Sequence, residues 1–234
     1  MLFQNVKDVA FVGDAFVKGP IRAVVLSFHG LNFSAQKLVP DLDEAELAAH
    51  GALCIFPYYG PWSWMNGESR RLVDEIVERA YTEFALSDEI PLFIRGGSMG
   101  GYSALVYALN SRRRPKAVAC NCPVTDPELH LTERPDLPRT FLLAYGLGER
   151  PFEELLIENS PLRQAERMPK VPYFIVHGTV DPAVNKQAHS DRFVERMREL
   201  GHEMHYAEAE GMGHCAFVDY AVYRQYQDFI IDRI

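Results

Sequence analysis

The chain has 234 residues, a hydrophobic share of 47% and a charged share of 24%. That is the balance of a globular protein with one sizeable core. A formal net charge of −8 argues against a nucleic-acid partner and against an anionic membrane surface. The one basic cluster, Arg112-Arg113-Arg114 with Lys116, falls where a helix should end, and positive charge there complements the helix dipole. Residues 1–8 carry no basic n-region, and no apolar run approaches the length of a membrane span, so a cytoplasmic protein is expected. Cys54, Cys120, Cys122 and Cys215 form neither a disulfide framework nor pairs at metal-ligand spacing. All four read as reduced, mostly buried thiols, with Cys120 and Cys122 on opposite faces of one strand. No metal and no cofactor is expected.

Taken in chain order, residues 9–12 form a short strand and residues 21–28 a long apolar one. Residues 37–50 read as a helix closed by Gly51, followed by a strand at 52–56. Residues 69–84 form an amphipathic helix with Leu72, Ile76, Val77 and Tyr81 on one face. The apolar run Pro91-Leu92-Phe93-Ile94 is a buried strand, residues 102–110 have helical composition, and 117–120 are another strand. Strands at 171–176 and 203–207, with helices at 184–200 and 220–231, complete the chain. Strands alternating with helices predict an α/β domain with a mostly parallel sheet covered on both faces.

Residues 124–170 interrupt that alternation. They hold prolines at 127, 135, 138, 151, 161 and 169 and a helix-like piece at 152–158. A structureless loop of this length is uncommon inside a compact domain. The expectation is a single domain over 1–234 with a small helical cap inserted at 124–170; a surface excursion without a role is the alternative.

The densest chemical signal is Gly96-Gly97-Ser98-Met99-Gly100-Gly101-Tyr102. A serine flanked by glycines, between a buried strand and a helix, is the setting of a nucleophile elbow. The glycines serve a strained turn against which neighbouring chain packs closely. Asp181 follows the strand at 171–176, and His214 sits in the glycine-rich stretch Glu210-Gly211-Met212-Gly213-His214. A serine hydroxyl needs a base to take its proton, which His214 would do, while Asp181 would fix the tautomer of His214 and stabilise the imidazolium. Asp126, just after the preceding strand, is a second candidate acid. His177 reads as a structural histidine bonded to backbone. His29 precedes Gly30 and Leu31 at a strand end, which makes the backbone N–H groups of Leu31 and Met99 the candidate oxyanion donors. The aromatic stretch Pro57-Tyr58-Tyr59-Gly60-Pro61-Trp62-Ser63-Trp64-Met65 fits either a substrate pocket or plain core packing.

The order Ser98, Asp181, His214 is that of α/β-hydrolase triads. Together with Asn159-Ser160-Pro161-Leu162-Arg163 and Val176-His177-Gly178-Thr179-Val180-Asp181, these motifs resemble the catalytic domain of the prolyl oligopeptidase family and its esterase relatives. The resemblance runs from about Val24 onward and implies the α/β-hydrolase fold, with Ser98, Asp181 and His214 as nucleophile, acid and base. His29-Gly30-Leu31 looks like the family's His-Gly-Gly oxyanion loop, with leucine in place of the last glycine. The β-propeller that filters peptides in the large members has no counterpart in these residues. The expectation is therefore a serine hydrolase cleaving small carboxylic esters through an acyl-enzyme on Ser98. A peptidase or acyl-peptide hydrolase acting on short peptides, and a non-catalytic protein keeping the fold, are the rivals.

Overall fold

The computed structural model describes residues 3–146 and 148–234. A seven-stranded sheet runs through it, built from β1 (Ala10–Val12), β2 (Ala23–Phe28), β3 (Ala52–Pro57), β4 (Leu92–Gly97), β5 (Ala117–Asn121), β6 (Tyr173–Gly178) and β7 (Met204–Ala209). Their spatial order is β1-β3-β2-β4-β5-β6-β7. β1 pairs antiparallel with β3, and every other pairing is parallel. From β2 to β6 every strand residue but Gly97 is buried. That is why they read as unbroken apolar runs rather than alternating ones.

Side-chain alternation divides the interior into two layers. Val24, Leu26, Leu53, Ile55 and Ile94 face one cluster, and Ala23, Val25, Ala52, Cys54 and Phe93 face the other. The first cluster takes the apolar faces of α2 (Gly67–Glu83) and α3 (Met99–Asn110), and the second those of α1 (Leu42–Ala49) and α8 (Tyr220–Ile231). One charge is set into the sheet. Arg95 of β4 pairs with Asp43 of α1 and donates to Gln227 of α8 at 2.8 Å, so both helices are registered on the same strand.

Two elements and the facing of one cysteine pair depart from the sequence reading. α1 starts at Leu42, not at residue 37, because Pro40 disfavours helical backbone before it. Asp41 then becomes the N-cap, its N–H held by Glu44 at 3.1 Å. The helix expected at 184–200 is a π-turn (Gln187–Asp191) followed by α7 (Arg192–Glu199). The wider turn brings the consecutive His189 and Ser190 both to the buried side. Cys120 and Cys122 do lie in different core layers, but not by strand alternation, since residues two apart share a face. Cys122 stands past the end of β5 with φ 47°, and that turn sends its thiol to the other side.

Residues 124–170 carry α4 (Pro127–Glu133), α5 (Leu137–Tyr145), α6 (Phe152–Glu158) and a single 3-10 turn (Ala165–Arg167). Two contacts seat them on the sheet domain. Glu133 meets His130 Nδ1 at 2.5 Å and accepts from His189 Nε2 at 3.1 Å. Trp64 is almost wholly buried, stacks on Phe141 of α5 at 4.0 Å, meets Tyr102 of α3 edge-on, and donates its indole N–H to Thr140. The Trp64 end of the aromatic stretch is thus core packing.

Truncating so large a buried ring leaves a cavity, and Trp64→Ala should cost about 3–5 kcal/mol. The measurement is the urea midpoint at unchanged slope. Trp64→Phe, which keeps the stack and loses only the indole bond, should cost clearly less. An alanine variant within about 1 kcal/mol of the parent would contradict this account of how the insertion is anchored.

Candidate active site

Ser98 sits between the end of β4 and the first residue of α3, with φ 58° and ψ −126°. Non-glycine residues adopt positive φ only where surroundings over-determine it, at a cost of about 1–3 kcal/mol. Here the determinants are visible. Ser98 N–H donates to Asn121 O of β5 at 2.9 Å, and Ser98 O accepts Tyr102 N–H at 3.0 Å. A Cβ on Gly96 would collide with the Gly100 carbonyl, and one on Gly100 with the Phe28 carbonyl of β2. Bare backbone at both positions lets β4, α3 and β2 close around the turn.

The loop after β6 presents Asp181, and the loop after β7 presents His214. Asp181 Oδ2 accepts His214 Nδ1–H at 2.7 Å. Its Oδ1 accepts the backbone N–H groups of Ala183 and Val184 at 2.8 and 3.1 Å. The buried His177 also faces this carboxylate, with Nε2 3.3 Å from Oδ2 and 3.1 Å from Val184 O. Both of those neighbours are acceptors, so Nε2 carries the proton and Nδ1 accepts from the Ser190 hydroxyl at 2.6 Å. His177 is therefore more than backbone-bonded: it joins Ser190 to Asp181. Burial alone would raise the Asp181 pKa, but the bonds from His177, His214 and Ala183 outweigh it and hold the carboxyl well below the usual range.

Ser98, His214, Gly30 and Leu31 line one open pocket of about 490 Å³, with Arg134 of the inserted segment also in its lining. Among the described residues, neither Leu31 N–H nor Met99 N–H donates to a protein acceptor. Both remain available, as oxyanion donors must be. The loop that carries Leu31 is fixed by His29, whose ring stacks on Tyr59 at 4.1 Å and whose Nδ1 lies 3.0 Å from Gly30 O. Tyr59 in turn donates to His29 O at 2.8 Å. Asp126 stands elsewhere. Its carboxylate caps α4 through Leu129 N–H at 3.4 Å and faces Arg192 at 3.6 Å, with no contact to His214. Trp62, unlike Trp64, stays half-exposed beside the pocket, bonded to Asn32 and under Arg139.

Folding also brings together what sequence spacing kept apart. Cys122 Sγ, Cys215 Sγ and His214 Nε2 lie within 4.8 Å of one another. Cys122 is buried and Cys215 half-buried, both free thiols. The neighbouring Cys215 thiol draws Cys122 down against the opposing effect of burial, with His214 contributing; Cys215, whose thiol donates to Asn121 O at 3.4 Å, moves up correspondingly. Burial would lower His214, but Asp181 and Cys122 overcome it and raise its pKa to about 9. No sequence signal marks the pair, because the two cysteines come from loops after different strands.

A model of the prolyl oligopeptidase family matches residues 73–232, about two-thirds of the chain and all three of Ser98, Asp181 and His214. No curated protein sequence matches. Among solved structures, a puromycin hydrolase superposes with a TM-score of 0.76 at 23% identity, over 95% of this chain and 36% of its own. A puromycin-hydrolyzing peptidase of Mycobacterium tuberculosis gives 0.73 at 23%, over 92% and 34%. An acylaminoacyl peptidase of Pyrococcus horikoshii gives 0.70 at 17%, over 93% and 36%. The chain thus spans about a third of the length of these proteins, and at such identities the likeness is one of fold. With its mostly parallel sheet, its elbow between β4 and α3 and two-thirds of its length within the family pattern, the chain belongs to the prolyl oligopeptidase family of serine hydrolases, in the α/β-hydrolase fold.

Proposed function

We propose that this protein hydrolyses small carboxylic esters through an acyl-enzyme on Ser98, with His214 as general base and Asp181 holding it. The observation that carries the reading is the 2.7 Å bond from His214 Nδ1 to Asp181, in the pocket that Ser98 lines. That bond directs the proton of a neutral imidazole to Nδ1 and leaves the Nε2 lone pair free to take the serine proton. His214 Nε2 has Cys215 Sγ at 3.9 Å and no hydrogen bond to Ser98 Oγ; bonds between base and nucleophile are often long in free enzymes and tighten in the complex. As Oγ attacks the carbonyl, the developing oxyanion would meet the free N–H groups of Leu31 and Met99. The departing alcohol would then take its proton from His214, and water would repeat the sequence to release the acid.

Residues 124–170 act in this reading as a cap. Arg134 reaches the pocket wall from the stretch between α4 and α5, bridged to Asp136 at 2.6 Å. An open pocket walled by so short an insertion suits a small substrate. A second reading, cleavage of short peptides, is favoured by membership of the family and by the peptidases of the same fold. Turnover of aminoacyl anilides against p-nitrophenyl esters from acetate to decanoate separates the two, and the chain-length optimum sizes the acyl side.

Replacing Ser98 or His214 by alanine should lower kcat by at least about 10³-fold with smaller change in KM. Asp181→Ala should be damaging too, while Asp126→Ala, on a cap away from His214, should act on stability more than on rate. If Asp126→Ala proves as inactive as Asp181→Ala while still folded, the acid is misassigned.

The raised pKa of His214 sets the expected pH dependence. The base works only when unprotonated, so a pKa raised to about 9 moves the rising limb of kcat/KM to alkaline pH, and activity falls as pH drops below it. Because Cys122 contributes to that rise, Cys122→Ser should shift the limb toward neutral. A limb near the ordinary histidine value in both proteins would contradict the coupling.

A further inference from the structure

Beside the serine stand two sulfurs that the hydrolytic reaction does not use. Cys122 Sγ, Cys215 Sγ and His214 Nε2 lie within 4.8 Å of one another, with Cys215 Sγ 3.9 Å from Nε2. In a tetrahedral zinc site with Zn–S about 2.3 Å and Zn–N about 2.0–2.1 Å, donor atoms stand roughly 3.5–3.8 Å apart. The His214–Cys215 edge is within about 0.4 Å of that spacing, and the widest edge needs to close by at most about 1 Å. We propose that Cys122, Cys215 and His214 form a binding site for one zinc-class divalent cation, and that occupation of this site switches the hydrolase off.

The surroundings fit the donor set. His214 Nδ1–H is already given to Asp181, the carboxylate–histidine arrangement that orients a metal-bound imidazole and strengthens it as a ligand. Its Nε2 is thereby turned from Asp181 toward the sulfurs, 3.9 Å from Cys215 Sγ. Both cysteines are held in left-handed backbone, φ 47° and 57°. Cys122 N–H is tied to Val176 O at 2.8 Å, and Asn121 Nδ2 donates to Cys215 O at 3.1 Å. The thiols are thus placed before any cation arrives, which lowers the cost of gathering ligands. Cys215 and His214 line the 490 Å³ pocket together with Ser98, so the cation has a way in.

The two sulfurs and His214 Nε2 together hold two protons on the three donor atoms. A divalent cation displaces both, leaving two thiolates and a neutral imidazole, and the site closes with no net charge. The inhibition rests on the function proposed above: a lone pair bound to metal cannot accept the serine proton. Cation binding itself does not depend on that reading.

The test uses the full chain stripped of metal with a chelator and titrated with Co²⁺, then Zn²⁺. A thiolate-to-cobalt charge-transfer band should appear, saturate at one equivalent and be displaced by zinc. The band should persist in Ser98→Ala, where no turnover is needed to see it. Zinc should inhibit ester hydrolysis by the parent protein, with full recovery on adding EDTA. In Cys122→Ser and Cys215→Ser the inhibition constant, each taken against the variant's own metal-free rate, should rise by at least about 10–100-fold, the loss that even an outer-shell partner brings. Absence of the thiolate band, or equal zinc inhibition in parent and both cysteine variants, overturns the proposal. A band without any esterase or peptidase turnover would leave the cation site standing and remove the hydrolytic reading instead.

Discussion

The backbone of Ser98 is held in a conformation that serine does not favour, and most of the molecule is arranged to keep it there. β2, β4 and β5 must lie side by side for the Phe28 carbonyl, Gly100 and Asn121 O to close on the turn. Those strands stay adjacent because both sheet faces are covered, α2 and α3 on one and α1 and α8 on the other. The strain is local and small against the burial that opposes its release. The result is a hydroxyl lifted above the carboxyl ends of the strands, where parallel sheets place their ligands.

Electrostatics at the site follow from a single buried carboxylate. Asp181 is the last acceptor of a chain that begins at Ser190 and passes through His177, and it is also anchored by two backbone N–H groups. A carboxylate so saturated stays ionised, and an ionised Asp181 holds both the tautomer and the raised pKa of His214. Two sulfurs share that environment. Their presence ties the proton affinity of His214 to a group outside its bond with Asp181.

The inserted segment is joined to the domain by packing as well as by polar contacts. Trp64, in the loop between β3 and α2, lies between Tyr102 of the elbow helix and Phe141 of α5. One ring thereby couples the inserted segment to the helix that follows Ser98. The glutamate Glu133, set between His130 and His189, makes the second attachment, at the π-turn just beyond Asp181. The segment also contributes Arg134 to the pocket that Ser98 and His214 line, so its position is a determinant of pocket shape.

Much of this was legible in the linear chain. Apolar runs in the centre of the chain predicted buried parallel strands because residues with both neighbours apolar need two covered faces. The glycines around Ser98 predicted a tight turn because only bare backbone permits it, and the expected pairing of Asp181 with His214 is a contact of 2.7 Å. These are consequences of local sterics and periodicity, which a sequence carries in neighbouring letters. Pro40 was legible too, but the helix periodicity of residues 37–50 masked it. What only the tertiary structure decided were contacts between loops that follow different strands: Asp126 turned to its own helix and away from His214, Trp64 turned inward while Trp62 stayed out, and Cys122 brought to Cys215 from 93 positions away. Such contacts depend on strand order and on which face each loop leaves the sheet. Neither is encoded in the spacing of the residues concerned, because strand order is set by how the whole chain buries its surface.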